Sequence, residues 1–158
     1  MKNRRTISVI VLNEHSVLAR ISGLFAGRGY NIESLTVAPV PNSELSRLTI
    51  VTFGNENILE QISKQLNKLI PVLKVIEHKD IIEKEMVLVR FPIEENNCIT
   101  DIDTLCRVYN GQILNVPENY IVAMVADSPA RIENFIKAVK RYHPKDIVRS
   151  GVVAVESN

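Results

Sequence analysis

Residues 6–29 read TISVIVLNEHSVLARISGLFAGRG, and this stretch decides the fold of the first half of the chain. Its opening residues are mostly apolar, which is typical of a buried strand. Apolar side chains then recur at helical spacing over residues 17–25, and Ser16 precedes them as a good N-cap residue. Gly27 and Gly29 are expected to end this helix, because glycine adopts the left-handed cap conformation without a Cβ clash. The stretch therefore predicts a strand, a loop and a helix.

The rest of the first half continues this alternation. We predict strands at residues 31–38, 47–53 and 72–78, and between the last two a helix over residues 58–69, which Pro71 terminates. Residues 79–85, which follow, are mostly charged and contain few apolar residues that could pack in a core. We therefore place the domain boundary there, with domains at residues 1–80 and 81–158.

The second half repeats the order of elements. We predict a strand at residues 85–91, a helix at 102–109, a hairpin at 112–116 and 120–126, a helix after Ser128-Pro129 and a last strand within 147–155. Thr100 and Asp103 resemble a capping box, and Gly111 is expected to stop the helix. Pro129 suits the first position of the second helix.

Each half thus has the βαββαβ order of a ferredoxin-like domain, so the predicted fold class is α+β with two such domains in tandem. Four antiparallel strands carry two helices on one face, and the other face must be solvated or covered. The first strand has apolar residues on both faces, with Ile7 and Val9 on one and Ile10 and Leu12 on the other. This pattern indicates a covered second face, and we expect oligomerisation to cover it.

Composition narrows the classes of function. The 158 residues carry a net charge of +1, whereas nucleic-acid binding usually needs a large basic excess. No apolar run approaches the roughly 20 residues that span a bilayer, and the start of the chain lacks the apolar run of a signal peptide. We therefore expect a cytoplasmic protein that binds neither nucleic acid nor a membrane.

The usual markers of catalytic and metal sites are missing from the sequence. Cys98 and Cys106 fit no zinc or redox spacing, and we interpret both as reduced packing residues. His15, His78 and His143 form no metal-binding pattern. A basic cluster over residues 137–145 is interpreted as a solvated helix end, with a docking surface for an acidic partner as the alternative.

The loop from the first strand into the first helix is the candidate binding site. It reads Asn13-Glu14-His15-Ser16, and the unpaired backbone N–H groups at the start of the helix suit a carboxylate. The Asn13 amide can both donate and accept, as a zwitterion requires. Asn31 opens the second strand, which we expect beside the end of the first. The alternative is that both asparagines are ordinary turn residues.

Several motifs resemble the small subunits of acetohydroxyacid synthase, also called acetolactate synthase. They are GLFAGRGYNIESLTVAP at 23–39, LSRLTI at 45–50, LEQISKQLNKL at 59–69, VLV at 87–89 and RSGVV at 149–153. The resemblance runs in order over nearly the whole chain. It implies an N-terminal ACT domain, a C-terminal ferredoxin-like domain and a homodimer in which two ACT sheets join.

The resemblance also implies a function. The chain is expected to bind a larger catalytic subunit that condenses pyruvate with pyruvate or 2-oxobutyrate in valine, leucine and isoleucine synthesis. Thiamine diphosphate, Mg²⁺ and FAD are expected on that subunit, with no catalytic residue, metal or cofactor on this chain. The small subunit raises the activity of its partner and confers feedback inhibition, usually by valine.

The resemblance implies that the effector sits at the ACT dimer interface, between the first strand–helix loop and the start of the second strand of the neighbouring chain. By position, the family's effector contacts carry over to Asn13, Ser16, Val17, Leu18, Asn31 and Ile32. The family usually has glycine where Ser16 stands. A Cβ and hydroxyl there can crowd the ligand, or the hydroxyl can cap the helix and add a hydrogen bond.

Two other classes of function stay open at this point. ACT-type sensors also serve stand-alone transcription regulators, although this chain has no helix-turn-helix segment. The ferredoxin-like scaffold also carries small enzymes.

Overall fold

The computed structural model describes residues 3–78, 80–93 and 99–157. Two compact units divide the chain: residues up to 82 together with residues from 152 onward form the first, and residues 83–151 form the second. The predicted boundary at residue 80 lies close to this division. The final residues differ from the predicted ranges, because they pack with the first unit.

The elements in the N-terminal part of the first unit follow the predicted βαββαβ order. They are β1 (Asn3–Leu12), α1 (Val17–Gly27), β2 (Ile32–Pro39), β3 (Leu45–Gly54), α2 (Glu56–Asn67) and β4 (Val72–Glu77). The sheet is antiparallel in the order β2-β3-β1-β4. Alternate residues of its strands pack against both helices. The largest buried side chains of this core include Ile7 and Ile50 from the strands and Ile21, Phe25 and Ile62 from the helices.

The remaining elements begin where the predicted linker was placed. They are β5 (Ile81–Pro92), α3 (Ile99–Val108), β6 (Gly111–Asn115), β7 (Tyr120–Asp127), α4 (Pro129–Val139), a 3₁₀ turn (Lys140–Tyr142), β8 (Asp146–Arg149) and β9 (Val153–Glu156). The second antiparallel sheet has the order β6-β7-β5-β8, and β9 pairs with β5. The α+β class with two tandem ferredoxin-like domains is confirmed.

The core of the second unit includes one of the two cysteines. Cys106 is fully buried between α3 and the sheet, and it is a free thiol. Burial, reinforced by the nearby Asp103 carboxylate, raises the pKa of this thiol to about 11. The side chain therefore stays protonated and packs as a small apolar group, as predicted. Cys98 lies outside the described residues.

The prediction that glycine ends the helix is confirmed for α1 but is wrong for α3. Gly29 is left-handed (φ 67°), and the Tyr30 N–H bonds to the Phe25 carbonyl, which closes α1. At the end of α3 the left-handed residue is Asn110 (φ 58°), not Gly111. Gly111 is required for another reason, since a Cβ there would lie 2.5 Å from the Met124 carbonyl oxygen of β7.

The prediction of a single last strand within residues 147–155 is wrong, because this segment contains two strands with a break between them. β8 ends at Arg149 and pairs within the second sheet, and Val152 then enters the first unit. The Val152 N–H donates to Ser34 Oγ at 3.2 Å, and Arg47 Nη2 donates to the Ala154 carbonyl at 2.8 Å. The chain's own final strand thus lies on the face of the first sheet that was expected to be covered by oligomerisation.

The capping box predicted at Thr100 is also wrong. The helix α3 already begins at Ile99, so Thr100 lies inside its first turn, and its carbonyl accepts from Thr104 Oγ1 at 2.8 Å. Asp103 instead forms an ion pair with Arg107 at 2.8 Å. This i, i+4 pair stabilises the exposed side of the helix weakly.

Candidate functional site

The loop between β1 and α1 leaves the start of the helix open. The Asn13 N–H donates to the Glu44 carbonyl at 2.9 Å, which fixes the loop to the end of the sheet. Ser16 occupies the N-cap position with φ 72° and ψ −4°, and its side chain makes no capping hydrogen bond. The first turn of α1 contains no acidic residue. Because neither the Ser16 side chain nor an acidic residue of the first turn accepts from them, the backbone N–H groups at this helix start can receive a carboxylate.

The conformation of Ser16 corrects the prediction that it caps the helix. A capping serine needs extended backbone so that its hydroxyl can reach the N–H groups of the first turn. Ser16 is instead left-handed, a conformation that glycine adopts freely and that costs other residues about 1 kcal/mol. The glycine that the family usually has at this position fits the backbone found here.

Exposure separates the six predicted effector residues into two groups. Asn13, Ser16, Leu18 and Asn31 are exposed, and Ile32 is half-buried against the core. Val17 is only 5% exposed and belongs to the core of the first unit. The side chain of Val17 therefore cannot form part of a pocket wall, although its backbone N–H lies at the helix start.

The register of the sheet separates the two asparagines. Asn13 follows Leu12, which pairs with Leu45 at one end of the sheet. Asn31 precedes Ile32, which pairs with Thr52, and Thr52 pairs in turn with Arg5 at the other end. From Arg5 to Leu12 the strand rises roughly 23 Å at ~3.3 Å per residue. The prediction that Asn31 lies beside the end of the first strand is therefore wrong within one chain.

The strand β2 lies at the edge of the sheet and spans the distance between the two asparagines. It pairs with β3 on one side, and no further strand follows it in this sheet among the described residues. A free edge exposes backbone N–H and C=O groups that can pair with another strand. Leu35 and Thr36 lie midway along this edge.

A buried polar cluster on the other face of the sheet was missed from the sequence. Ser8 Oγ lies 2.7 Å from His78 Nε2 and accepts from Arg47 Nη2 at 3.0 Å. The Glu156 carboxylate lies 3.8 Å from His78 Nδ1. Ser8 and His78 are buried, so the cluster is closed to a large substrate. The alternation of Arg47 and Thr49 with Leu48 and Ile50 was the available signal for a polar face.

The remaining candidates carry no assembled site. Groups of three or more side chains suited to a metal ion are absent from the described part of the chain. Within the predicted basic cluster, Lys137 lies 3.9 Å from Glu133, and Arg141 donates to the Tyr142 hydroxyl at 2.8 Å. A docking role for this cluster stays a prediction. Across the described residues, the helices are too short or too polar to span a membrane.

Comparison with known proteins identifies the relatives of the chain. The family model described as an AHAS small subunit-like ACT domain matches residues 7–74, and the model described as the small subunit of acetolactate synthase matches residues 84–158. The acetolactate synthase small subunit of Buchnera aphidicola is 39% identical, over 96% of this chain and 98% of its own length. The small subunit of Escherichia coli isozyme 3 is also 39% identical, over 96% of this chain and 94% of its own length.

A solved structure supports the same assignment. The crystal structure of the acetolactate synthase small subunit from Thermotoga maritima superposes with a TM-score of 0.88 at 30% identity, and the match covers 97% of this chain and 96% of that one. The two family models together account for nearly all of the sequence, in the order that the fold requires. The chain therefore belongs to the family of acetolactate synthase small subunits.

Proposed function

We propose that this chain regulates an acetolactate synthase in the cytoplasm by binding its catalytic subunit. In this proposal the chain raises the activity of that subunit and confers feedback inhibition by a branched-chain amino acid, with valine as the favoured effector. Thiamine diphosphate, Mg²⁺ and FAD belong to the catalytic subunit, and no residue of this chain takes part in the chemistry. The names of the relatives support the partnership, since a small subunit implies a larger one.

The observation that carries the proposal is the separation of the two halves of the effector site. Asn13 and the open start of α1 lie at one end of the first sheet, and Asn31 and Ile32 lie at the other. A single chain cannot bring them onto one small ligand. A second copy can do so, provided that its sheet runs in the opposite direction alongside the first.

The free edge of β2 supports this proposed arrangement, because it can pair with the β2 edge of a second copy. If two copies pair through antiparallel β2 strands, Ile32 of one copy lies beside Pro39 of the other. Pro39 pairs with Ser46, and Ser46 pairs with Val11, so this end of the sheet is the one that carries Asn13. The two-fold axis then passes near the middle of β2 and produces two equivalent pockets.

Each pocket combines polar and apolar groups that match a small aliphatic amino acid. The backbone N–H groups at the start of α1 receive the carboxylate, favoured by the positive end of the helix dipole. The amides of Asn13 and Asn31 supply acceptors for the ammonium and donors for the carboxylate. Leu18, which is 45% exposed, and Ile32 supply the apolar surface for a branched side chain.

Regulation follows from a shift in population between two arrangements of the dimer. Effector binding across the interface favours one arrangement, which activates the catalytic subunit less well. By linkage, the catalytic subunit must weaken effector binding by the same free energy, which is typically about 1–3 kcal/mol.

The first test is titration calorimetry of the purified chain with valine, leucine and isoleucine. We expect saturable heat with at least one of them, and Asn13→Ala and Asn31→Ala should each weaken binding about tenfold or more by removing a hydrogen bond to a charged group. Asn115→Ala, on an exposed strand position of the second unit, is the matched control. No heat with any of the three amino acids, well above millimolar concentration, rejects the sensing role.

Mixing the two variants tests whether each pocket is built from two chains. Equal amounts of Asn13→Ala and Asn31→Ala, exchanged into mixed dimers, should recover about a quarter of the wild-type sites, because each mixed dimer contains one intact pocket. A pocket within one chain would remain defective in every mixed species. Failure of the mixture to bind therefore contradicts the two-chain site.

Reconstitution with the catalytic subunit tests the regulatory role. Acetolactate formation from pyruvate should rise when this chain is added, and valine should lower the stimulated rate. The chain alone, with pyruvate and thiamine diphosphate, should form no acetolactate. Unchanged activity of the catalytic subunit in the presence of a chain that still binds valine would reject the proposed partnership.

A further inference from the structure

A cavity lies on the face of the first sheet that is opposite the helices. Its volume is about 350 Å³. The floor is formed by side chains of three adjacent strands, with Ile10 on β1, Thr36 on β2 and Arg47 on β3. Val153 and Ala154 of the chain's final strand form one wall. All these residues belong to the first unit.

The sheet register brings the two polar residues of the floor close together. Arg47 pairs with Ile10 on one side and with Ala38 on the other, and Thr36 lies two residues before Ala38 on the same strand. Thr36 and Arg47 are thus diagonal neighbours on one face, at the separation that polar side chains of moderate length can bridge. Both contribute to the same cavity.

Each of these two residues has a buried polar atom without a hydrogen-bond partner. They are Arg47 Nε and Thr36 Oγ1. Arg47 uses Nη2 to bind Ser8 Oγ and the Ala154 carbonyl, but it forms no ion pair with any carboxylate in the described part of the chain. An unpaired buried donor on a cationic group is costly unless a ligand satisfies it. The Arg47 guanidinium therefore has an N–H group with which it can bind an anion.

The rest of the lining selects the kind of anion. It is apolar over most of its surface, through Ile10, Ala38, Val40 and Val153, and it contains no acidic side chain. An ammonium group would find no carboxylate there, so a zwitterionic amino acid is a poor match. We propose that this cavity binds a small aliphatic monocarboxylate without an ammonium group, such as a 2-oxo acid, with Arg47 and Thr36 holding the carboxylate.

The proposal is independent of the effector site at the β1–α1 loop. That site uses Asn13, Asn31 and the start of α1, whereas this cavity lies on the face of the sheet opposite the helices and includes neither asparagine. Because the Ala154 carbonyl shares the Arg47 guanidinium with the ligand, the final strand is the element that binding would stabilise.

The direct test is titration of the ¹⁵N-labelled full chain with 3-methylbutanoate, followed by NMR. We expect saturable shifts at residues 36, 47, 153 and 154. The neutral isostere 3-methylbutanamide should leave these signals unchanged, and L-valine should not displace 3-methylbutanoate from the cavity. No saturable shift with the carboxylate up to tens of millimolar overturns the proposal, and an equal response to the amide overturns the assignment of the carboxylate.

Two variants separate binding from folding. Thr36→Val removes a hydroxyl that bonds to no protein group, so the fold should survive, while affinity for 3-methylbutanoate should fall about tenfold. Arg47→Lys keeps the charge but loses the planar fork of donors, and it should weaken binding at least as much. Ser63→Ala is the matched control, because Ser63 Oγ is another buried hydroxyl without a partner, on α2 and outside the cavity.

The pattern across the variants decides the outcome. Weak binding by Thr36→Val and Arg47→Lys together with wild-type binding by Ser63→Ala supports the site. Wild-type affinity in both cavity variants contradicts it. Asn13→Ala should bind 3-methylbutanoate normally, so a failed valine titration and a failed carboxylate titration remain distinguishable.

Discussion

Two serines stand at the starts of helices α1 and α4, and they differ in backbone conformation and in the residue that precedes them. Ser128 is extended, and its N–H donates to the carboxylate of Asp127 at 2.8 Å. Ser16 is left-handed, and the residue before it is His15, which has no carboxylate. Neither hydroxyl caps its helix. The second unit supplies a carboxylate from the residue before its helix start, whereas in our proposal a ligand supplies the corresponding carboxylate in the first unit.

The Asp127 carboxylate accepts hydrogen bonds from four neighbouring groups. It is buried, and it accepts from Lys84 Nζ, Asn110 Nδ2 and the Ser128 N–H at 2.8–2.9 Å as well as from Arg131 Nε. Burial by itself raises the pKa of Asp127, but the hydrogen bonds from Lys84, Arg131 and Ser128 outweigh it and hold the pKa well below its ordinary range. The group is therefore ionised throughout the neutral range.

The largest expected effect comes from removing this charge. Asp127→Asn keeps the size of the side chain but weakens several charge-assisted hydrogen bonds, and it should lower the free energy of unfolding by about 2–3 kcal/mol. Denaturant unfolding of both proteins at neutral pH measures the difference. Asp103→Asn is the control, since its pair with Arg107 is exposed and should contribute only about 0.3–0.5 kcal/mol. Equal losses in the two variants would contradict the role of Asp127.

The same carboxylate predicts how stability depends on pH. Its pKa is lower in the folded chain than in the unfolded chain, so its contribution is fully present above the unfolded value of about 3.9. The contribution is lost as the pH falls below that value. The stability difference between the wild type and Asp127→Asn should therefore be constant near neutrality and shrink in acid. If the difference in the free energy of unfolding grew as the pH fell, the folded chain would not lower the pKa of Asp127 and the prediction would be wrong.

A helix start with a genuine side-chain cap gives the next effect in size. Asn55 Oδ1 accepts from the Ile58 N–H at 2.9 Å at the start of α2. Asn55→Ala should lower the free energy of unfolding by about 1 kcal/mol, which is the usual cost of losing an N-cap. Thermal and urea unfolding both measure it. If Asn55→Ala cost no more than an alanine substitution of Ser16, capping would not distinguish the two helices of the first unit.

The sequence predicted the elements better than the connections between them. Apolar periodicity located the helices because α1, α2 and α4 each bury one side against a sheet. The same signal could not show that residues 147–155 break, since Val152, Val153 and Ala154 are apolar whichever unit they cover. The bond from Arg47 to Ala154 joins residues 107 positions apart, and no local pattern specifies such a pairing.

The geometry of the candidate site could not be predicted from the sequence. Asn13 and Asn31 were identified correctly as exposed polar residues at strand ends, but only the register shows that these ends are opposite. Ser16 was predicted as a cap because serine favours that position. The backbone conformation overrode that preference, and residue type alone does not encode the sign of φ.

The smallest expected effect comes from substitutions of Ser16, whose left-handed backbone distinguishes it from Ser128. Ser16→Gly should raise the free energy of unfolding by about 0.5 kcal/mol. The left-handed conformation strains serine but not glycine, and removing this strain stabilises the folded chain by more than the greater flexibility of glycine stabilises the unfolded chain. Ser16→Ala should change it by less than about 0.5 kcal/mol, since the hydroxyl caps nothing. Urea unfolding measures both, and valine calorimetry on Ser16→Gly should show undiminished heat. A gain for glycine without a loss for alanine would mean that backbone conformation determines which residue suits this position. A loss of about 1 kcal/mol in Ser16→Ala would instead restore the capping role.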